Sequence, residues 1–199
     1  MTTGLNMNKS TSIFIACACA IAVVPRIVPM PIAYNLSALG ALALVCGATV
    51  QPRWLGLAIP LLCRLMTDFW IEAKSGYGFY NSMIFDYAAY ALIFGLGTVC
   101  LRKGWLGALA GGIMSAAIFF FISNLGVWLL APEHAYTRDF SGLMNCFVAA
   151  IPFAKGTLAG DLLYSVAFFS VLSVLPVPSP SADASKTSTS ASLASTSGD

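Results

Sequence analysis

Read along the chain, apolar residues come in long blocks and polar residues as short punctuation between them. The blocks cover residues 11–25, 36–50, 54–70, 82–101, 105–130 and 157–175. They are too long and too free of polar residues to be barrel strands, which leaves helices as the spanning structure. Several exceed the ~17 residues needed to cross a bilayer, and the first two fall slightly short. A further apolar piece, 143–153, is too short to span and reads as a re-entrant or interfacial helix ahead of the last block. The pattern predicts an all-α, polytopic transmembrane helical bundle of about six spans over residues 11–175. Residues 1–10 form a short N-terminal segment. Residues 176–199, rich in Ser, Thr, Ala and Pro, cannot bury a core and read as a disordered tail.

Composition points the same way. The 199 residues are 58% hydrophobic and only 9% charged, against roughly 25% charged in a soluble domain. The first block has Lys9, an apolar core and small residues, so a signal peptide is an alternative reading for it. The apolar stretch runs on behind those small residues, however, and cleavage would leave an odd number of spans. Lys and Arg are scattered without a basic stripe, which excludes nucleic acid as a partner. The cysteines (Cys17, Cys19, Cys46, Cys63, Cys100 and Cys146) form no CxxC pair and read as small buried hydrophobes. His134 is the single histidine, so a His-rich metal site is excluded, and no metal or other cofactor is expected.

Charge sets the expected orientation. With six spans, Lys9, Arg53, Arg102, Lys103 and Lys186 fall on one side, and Arg26, Lys74, Arg138 and Lys155 on the other. The Arg102–Lys103 pair lies in a very short loop, where the positive-inside rule is strongest. Both termini are therefore expected in the cytoplasm, with the protein a multi-pass component of the inner (plasma) membrane. Trp54, Trp70, Trp105 and Trp128 fall near the expected interfaces, as aromatic belts do.

The polar residues inside the blocks converge on one depth. Asn35, Arg64, Asp68, Asp86, Asn124 and Asp161 all fall in the outer third, while the inner halves are almost wholly apolar. A charge in hydrocarbon costs at least ~2.5–3.5 kcal/mol on insertion scales, so such groups face the bundle interior or a cavity. Arg64 and Asp68 are four apart and can pair on one helix face. The expectation is an outward-facing polar pocket built by Asn35, Arg64, Asp68, Tyr80, Asp86, Asn124, Trp128, Lys155 and Asp161. Tyr77, Tyr80 and Tyr136 lie in outer loops that could close over it. Taken one at a time, these residues are equally explained as helix bridges or headgroup contacts. Ala16, Ala18, Ala20 and Ala22 form overlapping small-xxx-small patterns, and Gly107/Gly111 does likewise. Such faces serve close packing within the bundle or docking of a partner subunit.

Several stretches are characteristic: YNLSALGALALVCGA, SNLGVWLL, SGLMNCFVAAIPF and TLAGDLLY. They hold Asn35, Gly47, Asn124, Gly126, Trp128, Gly142, Leu143, Cys146, Pro152, Gly160 and Asp161. Over about residues 20–175 the chain resembles a family of small bacterial membrane proteins whose function is not established. More loosely, it resembles the substrate-binding S components of energy-coupling factor (ECF) vitamin transporters. That resemblance implies six helices, cytoplasmic termini, vitamin capture from outside, and docking onto a transmembrane T component with ATPase subunits. The implied docking pattern, A-x-x-x-A on the first helix, would be Ala16/Ala20 or Ala18/Ala22. IPFAKG at 151–156 fits the stretch that precedes the last S-component helix.

The function expected from all this is membrane transport: capture of a small vitamin-like solute, with the lipid bilayer as surroundings. The competing class is a non-transporting scaffold or assembly protein. An intramembrane enzyme fits less well, because GxSxG, HExxH and a second histidine are all absent, and only an Asp68/Asp86 pair is conceivable.

Overall fold

The computed structural model describes residues 9–28, 36–100, 104–132 and 134–175. Asn35, Arg102, Lys103 and the segment 176–199 lie outside the described residues. Among the described residues six helices follow one another: α1 (Lys9–Ile27), α2 (Leu39–Thr49), α3 (Arg53–Ser75), α4 (Met83–Cys100), α5 (Gly104–Leu130) and α6 (Phe140–Val174). There is no strand among the described residues. Four of the helices, α1, α3, α5 and α6, are long and apolar enough to cross a membrane.

The short helix α2 is the centre of the molecule. Its 11 residues, LGALALVCGAT, have no polar face to turn outward. A helix that is apolar all round belongs inside. Leu39 through Gly47 are all buried, and α2 touches each of the other five helices. Glycines set the closest approach, to α4. A Cβ on Gly47 would lie 2.1 Å from the Phe94 carbonyl oxygen, and one on Gly97 would lie 2.2 Å from that of Leu44. The two backbones therefore touch where side chains would hold them apart.

Helix α3 is amphipathic with its polar side turned inward. Gly56, Pro60, Arg64, Thr67 and Asp68 recur at helical spacing and are buried. On the opposite face Leu62, Met66, Phe69 and Trp70 are exposed, Met66 by 69%. That polarity is the reverse of a water-soluble helix and matches a lipid-facing one.

The last helix corrects one expectation. Residues 143–153 are not a separate re-entrant piece: they are the first part of the single 35-residue helix α6, which runs through Pro152. Proline forfeits one backbone hydrogen bond, and the helix, which packs extensively on α5, continues across it. At 1.5 Å per residue α6 is about 52 Å long, well beyond a ~30 Å hydrocarbon core. Asp161 consequently lies in its middle rather than in the first turn of a shorter span. Lys155 is an exposed helical residue, not a loop residue. Arg26, expected in a loop, belongs to the last turn of α1, which continues past Pro25. At the other end of the molecule Phe14 meets Phe168 edge-on at 5.8 Å, joining the start of α1 to the end of α6.

Candidate functional site

Where α1 and α3 end and α4 begins, four charged side chains form one network. Arg64 Nε bonds Asp68 Oδ2 at 2.7 Å, as expected from their spacing of four. Arg64 Nη2 reaches Asp86 Oδ2 of α4 at 3.1 Å. Arg26 Nη2 of α1 bonds Asp68 Oδ1 at 2.7 Å, and its Nε donates to Thr67 Oγ1 at 2.8 Å. Two tyrosines complete it. Tyr87 donates to Asp68 Oδ2 at 3.0 Å, and Tyr80 donates to Asp86 while accepting from Arg64 Nη2 at 2.7 Å. Burial and the neighbouring Asp86 push the Tyr80 hydroxyl above its ordinary pKa, which keeps the proton it donates. Two arginines and two aspartates cancel, so the network as a whole is neutral.

The connection between α3 and α4 is shaped to deliver Tyr80. Gly76 ends α3 in the left-handed region (φ 71°), donating its N–H to the Glu72 carbonyl at 2.9 Å. The Glu72 carboxylate then accepts the N–H groups of Gly78 and Phe79 at 2.8 and 3.1 Å. Gly78 lies so close over α3 that a Cβ would stand 2.0 Å from the Asp68 carbonyl oxygen. The loop is thereby folded back onto the helix end, and Tyr80 reaches Arg64 and Asp86.

These groups form one wall of a cavity of about 330 Å³. The α3–α4 loop supplies Tyr77, Gly78 and Tyr80 at its rim. Tyr90 and Phe119 line it as a tilted aromatic pair, with ring centroids 5.2 Å apart. Ser123 and Val127 of α5, and Thr157 and Asp161 of α6, close the far side. At the floor is the beginning of α2, where Gly40 packs against Asp161 and Ser115. A Cβ on Gly40 would lie 2.4 Å from both Asp161 Oδ1 and Ser115 Oγ. Ser115 Oγ donates to Asp161 Oδ2 at 2.6 Å.

Of the residues expected at the site, Arg64, Asp68, Tyr80, Asp86 and Asp161 are brought together here. Three are not. Asn124 lines an adjoining recess of about 230 Å³ that shares Phe119, Ser123 and Thr157 with the main cavity. Its Nδ2 donates to the Phe120 carbonyl one turn back, at 2.7 Å. Trp128 donates Nε1 to the Thr137 carbonyl at 3.0 Å and lies under the Arg138 guanidinium, fastening the α5–α6 connection. Lys155 is exposed on α6 and lines neither space. Along α1, Ala18 and Ala22 face inward and are buried, while Ala16 and Ala20 stay exposed. The sequence reading missed Arg26, Tyr90, Phe119, Ser123 and Thr157. Phe119, Ser123 and Val127 recur every fourth residue, and so do Thr157 and Asp161; that spacing is the signal that would have found them.

The cavity can hold a small molecule with an apolar body and polar edges. Among the described residues no cluster of His, Cys, Asp and Glu is arranged to hold a metal ion.

Residues 6–182 match the family of unknown function DUF6580, and the chain belongs to that family. No curated protein and no solved structure matches it.

Proposed function

We propose that this protein is an integral membrane protein that captures a small solute in the cavity between α3, α4, α5 and α6. The observation that carries the reading is the cavity itself: about 330 Å³ inside a bundle with an apolar exterior, lined by fixed charges and an aromatic pair. Ligand sites are concave, mostly preformed, and lined by apolar groups with a few placed polar ones, at about 300–1,000 Å³. The satisfied Arg–Asp–Tyr network favours a preformed site, because its geometry exists before any ligand arrives.

In this reading all six helices lie in the plasma membrane with both termini cytoplasmic, and the rim loop faces outward. The solute is vitamin-like in size, as the resemblance to ECF S components suggests. An energising T component would dock on α1 at Ala16 and Ala20, the pair that stays exposed.

The test is native mass spectrometry of detergent-purified protein from cells grown on rich medium, beside a Ser123→Phe variant that fills the cavity without touching the ion network. A small molecule released from the wild type and missing from the variant supports capture. An empty wild type that takes up nothing from a vitamin panel turns the reading to a scaffold, with the polar network as its packing device.

A further inference from the structure

Five arginine and aspartate side chains line the cavity: Arg26, Arg64, Asp68, Asp86 and Asp161. The first four pair off among themselves. Asp161 does not join them. It is 2% exposed, and among the described residues its one side-chain hydrogen-bond partner is the neutral Ser115 and no Lys, Arg or His pairs with it. With Asp161 ionised, the lining would carry two positive and three negative groups, one negative charge in excess.

A carboxyl in a dry interior stays ionised only where something compensates its charge, and otherwise holds a proton, so a bound cation would be what keeps Asp161 charged. Part of the compensation is visible. Asp161 lies against Gly40 in the first turn of α2, and the positive end of a helix favours a carboxylate there. That end is worth only about half a charge and belongs to a helix of 11 residues, so it favours the ionised form without neutralising it. The Tyr90–Phe119 pair on the same lining provides an apolar, π-rich surface, which suits the body of an organic cation.

We infer that the solute is an organic cation, a protonated amine or quaternary nitrogen attached to a ring or short apolar body, and that Asp161 is its counter-ion. This deepens the capture reading and rests on it. Ser115 fixes one carboxylate oxygen by donating to it, and the second oxygen is left for the cationic nitrogen. Gly40 is required because any side chain there would displace both oxygens. The Arg64 network supports the wall but supplies no free charge, so anionic solutes have no partner.

The experiment compares three probes of nearly equal shape: phenethylammonium, 2-phenylethanol and phenylacetate. Binding to purified full-length protein is read by thermal shift and by native mass spectrometry. The ammonium probe should bind at least about 30-fold tighter than the alcohol, the fold-change for an ion pair worth ~2 kcal/mol. Asp161→Asn should abolish that preference while melting no lower than wild type, since the amide oxygen can still accept from Ser115 and the side chain carries no charge to bury. Ser115→Ala, which keeps the charge, should retain the preference. Equal binding of the three probes, or a preference that survives Asp161→Asn, overturns the inference and leaves capture standing. If no probe binds but the purified protein carries an endogenous molecule, a cationic nitrogen in it supports the inference and its absence overturns it. No probe bound and no endogenous molecule overturns both readings.

Discussion

Replacing Arg64 by Gln should cost about 3–5 kcal/mol, the range for breaking a buried pair by removing one partner. Arg64 contacts Asp68 at 2.7 Å and Asp86 at 3.1 Å. At an effective dielectric near 20, the two contacts are worth roughly 6 and 5 kcal/mol before desolvation is subtracted. The aspartates do not lose equally. Asp68 keeps Arg26 and the Tyr87 hydroxyl, whereas Asp86 keeps only Tyr80. Most of the cost therefore sits on Asp86, and removing its charge as well should restore part of the loss. The double variant Arg64→Gln, Asp86→Asn leaves the Arg26–Asp68 pair intact and should be more stable than the sum of the singles by ~1–3 kcal/mol. Unfolding by denaturing detergent in mixed micelles, followed by circular dichroism and tryptophan fluorescence, measures all four corners of the cycle. A loss below ~1 kcal/mol for Arg64→Gln, or strict additivity in the double, would refute the network as a coupled buried unit.

Gly47→Ala should destabilise by about 1–3 kcal/mol in the same assay, because the new methyl group meets the Phe94 carbonyl oxygen at 2.1 Å. Gly95→Ala, with nothing within 4 Å of its Cβ, should be neutral or slightly stabilising. Glu72→Ala should release the rim loop and speed amide exchange at Gly78 and Phe79 about 10- to 100-fold, as expected when charge-assisted bonds of ~1.5–3 kcal/mol are lost. Asp139 caps α6 by accepting from Gly142 N at 2.7 Å, and that bond, with one from Thr137, holds its carboxyl below the ordinary 3.8. A lowered pKa means the cap stabilises above the unfolded value and fails as pH falls through the folded one. Exchange at Gly142 and Leu143, with the intrinsic pH dependence subtracted, should therefore rise on acidification below 3.8, and Asp139→Ala should show that faster exchange at neutral pH.

The helices were legible because uninterrupted apolar blocks admit little else, and α2 declared its burial by having no polar face. The polar set was legible in height but not in azimuth. Rise along a helix follows from residue count alone, so Asn124 could be placed at the level of the cavity. Each residue also turns the helix by about 100°, so Ser123 faces the cavity and its neighbour Asn124 faces the recess. Lys155 and Thr157 differ in the same way. Pro152 and Pro25 misled for one reason: a proline forfeits a single hydrogen bond, and both α6 and α1 run on through theirs. Continuity of α6 is a tertiary outcome, and with it the depth of Asp161.

Helix α3 also bears on how the chain is made. Arg64 and Asp68, presented singly to a translocon, would each oppose insertion by about 2.5–3.5 kcal/mol. Their mutual bond offsets part of that within the helix. The rest comes from Arg26, synthesised some forty residues earlier, and Asp86, synthesised about twenty residues later. In the proposed membrane setting, lateral release of α3 into lipid is therefore least costly once α1 is beside it and α4 has emerged. On the proposed topology, biogenesis becomes a cooperative step shared by α1, α3 and α4 rather than a sequence of independent insertions.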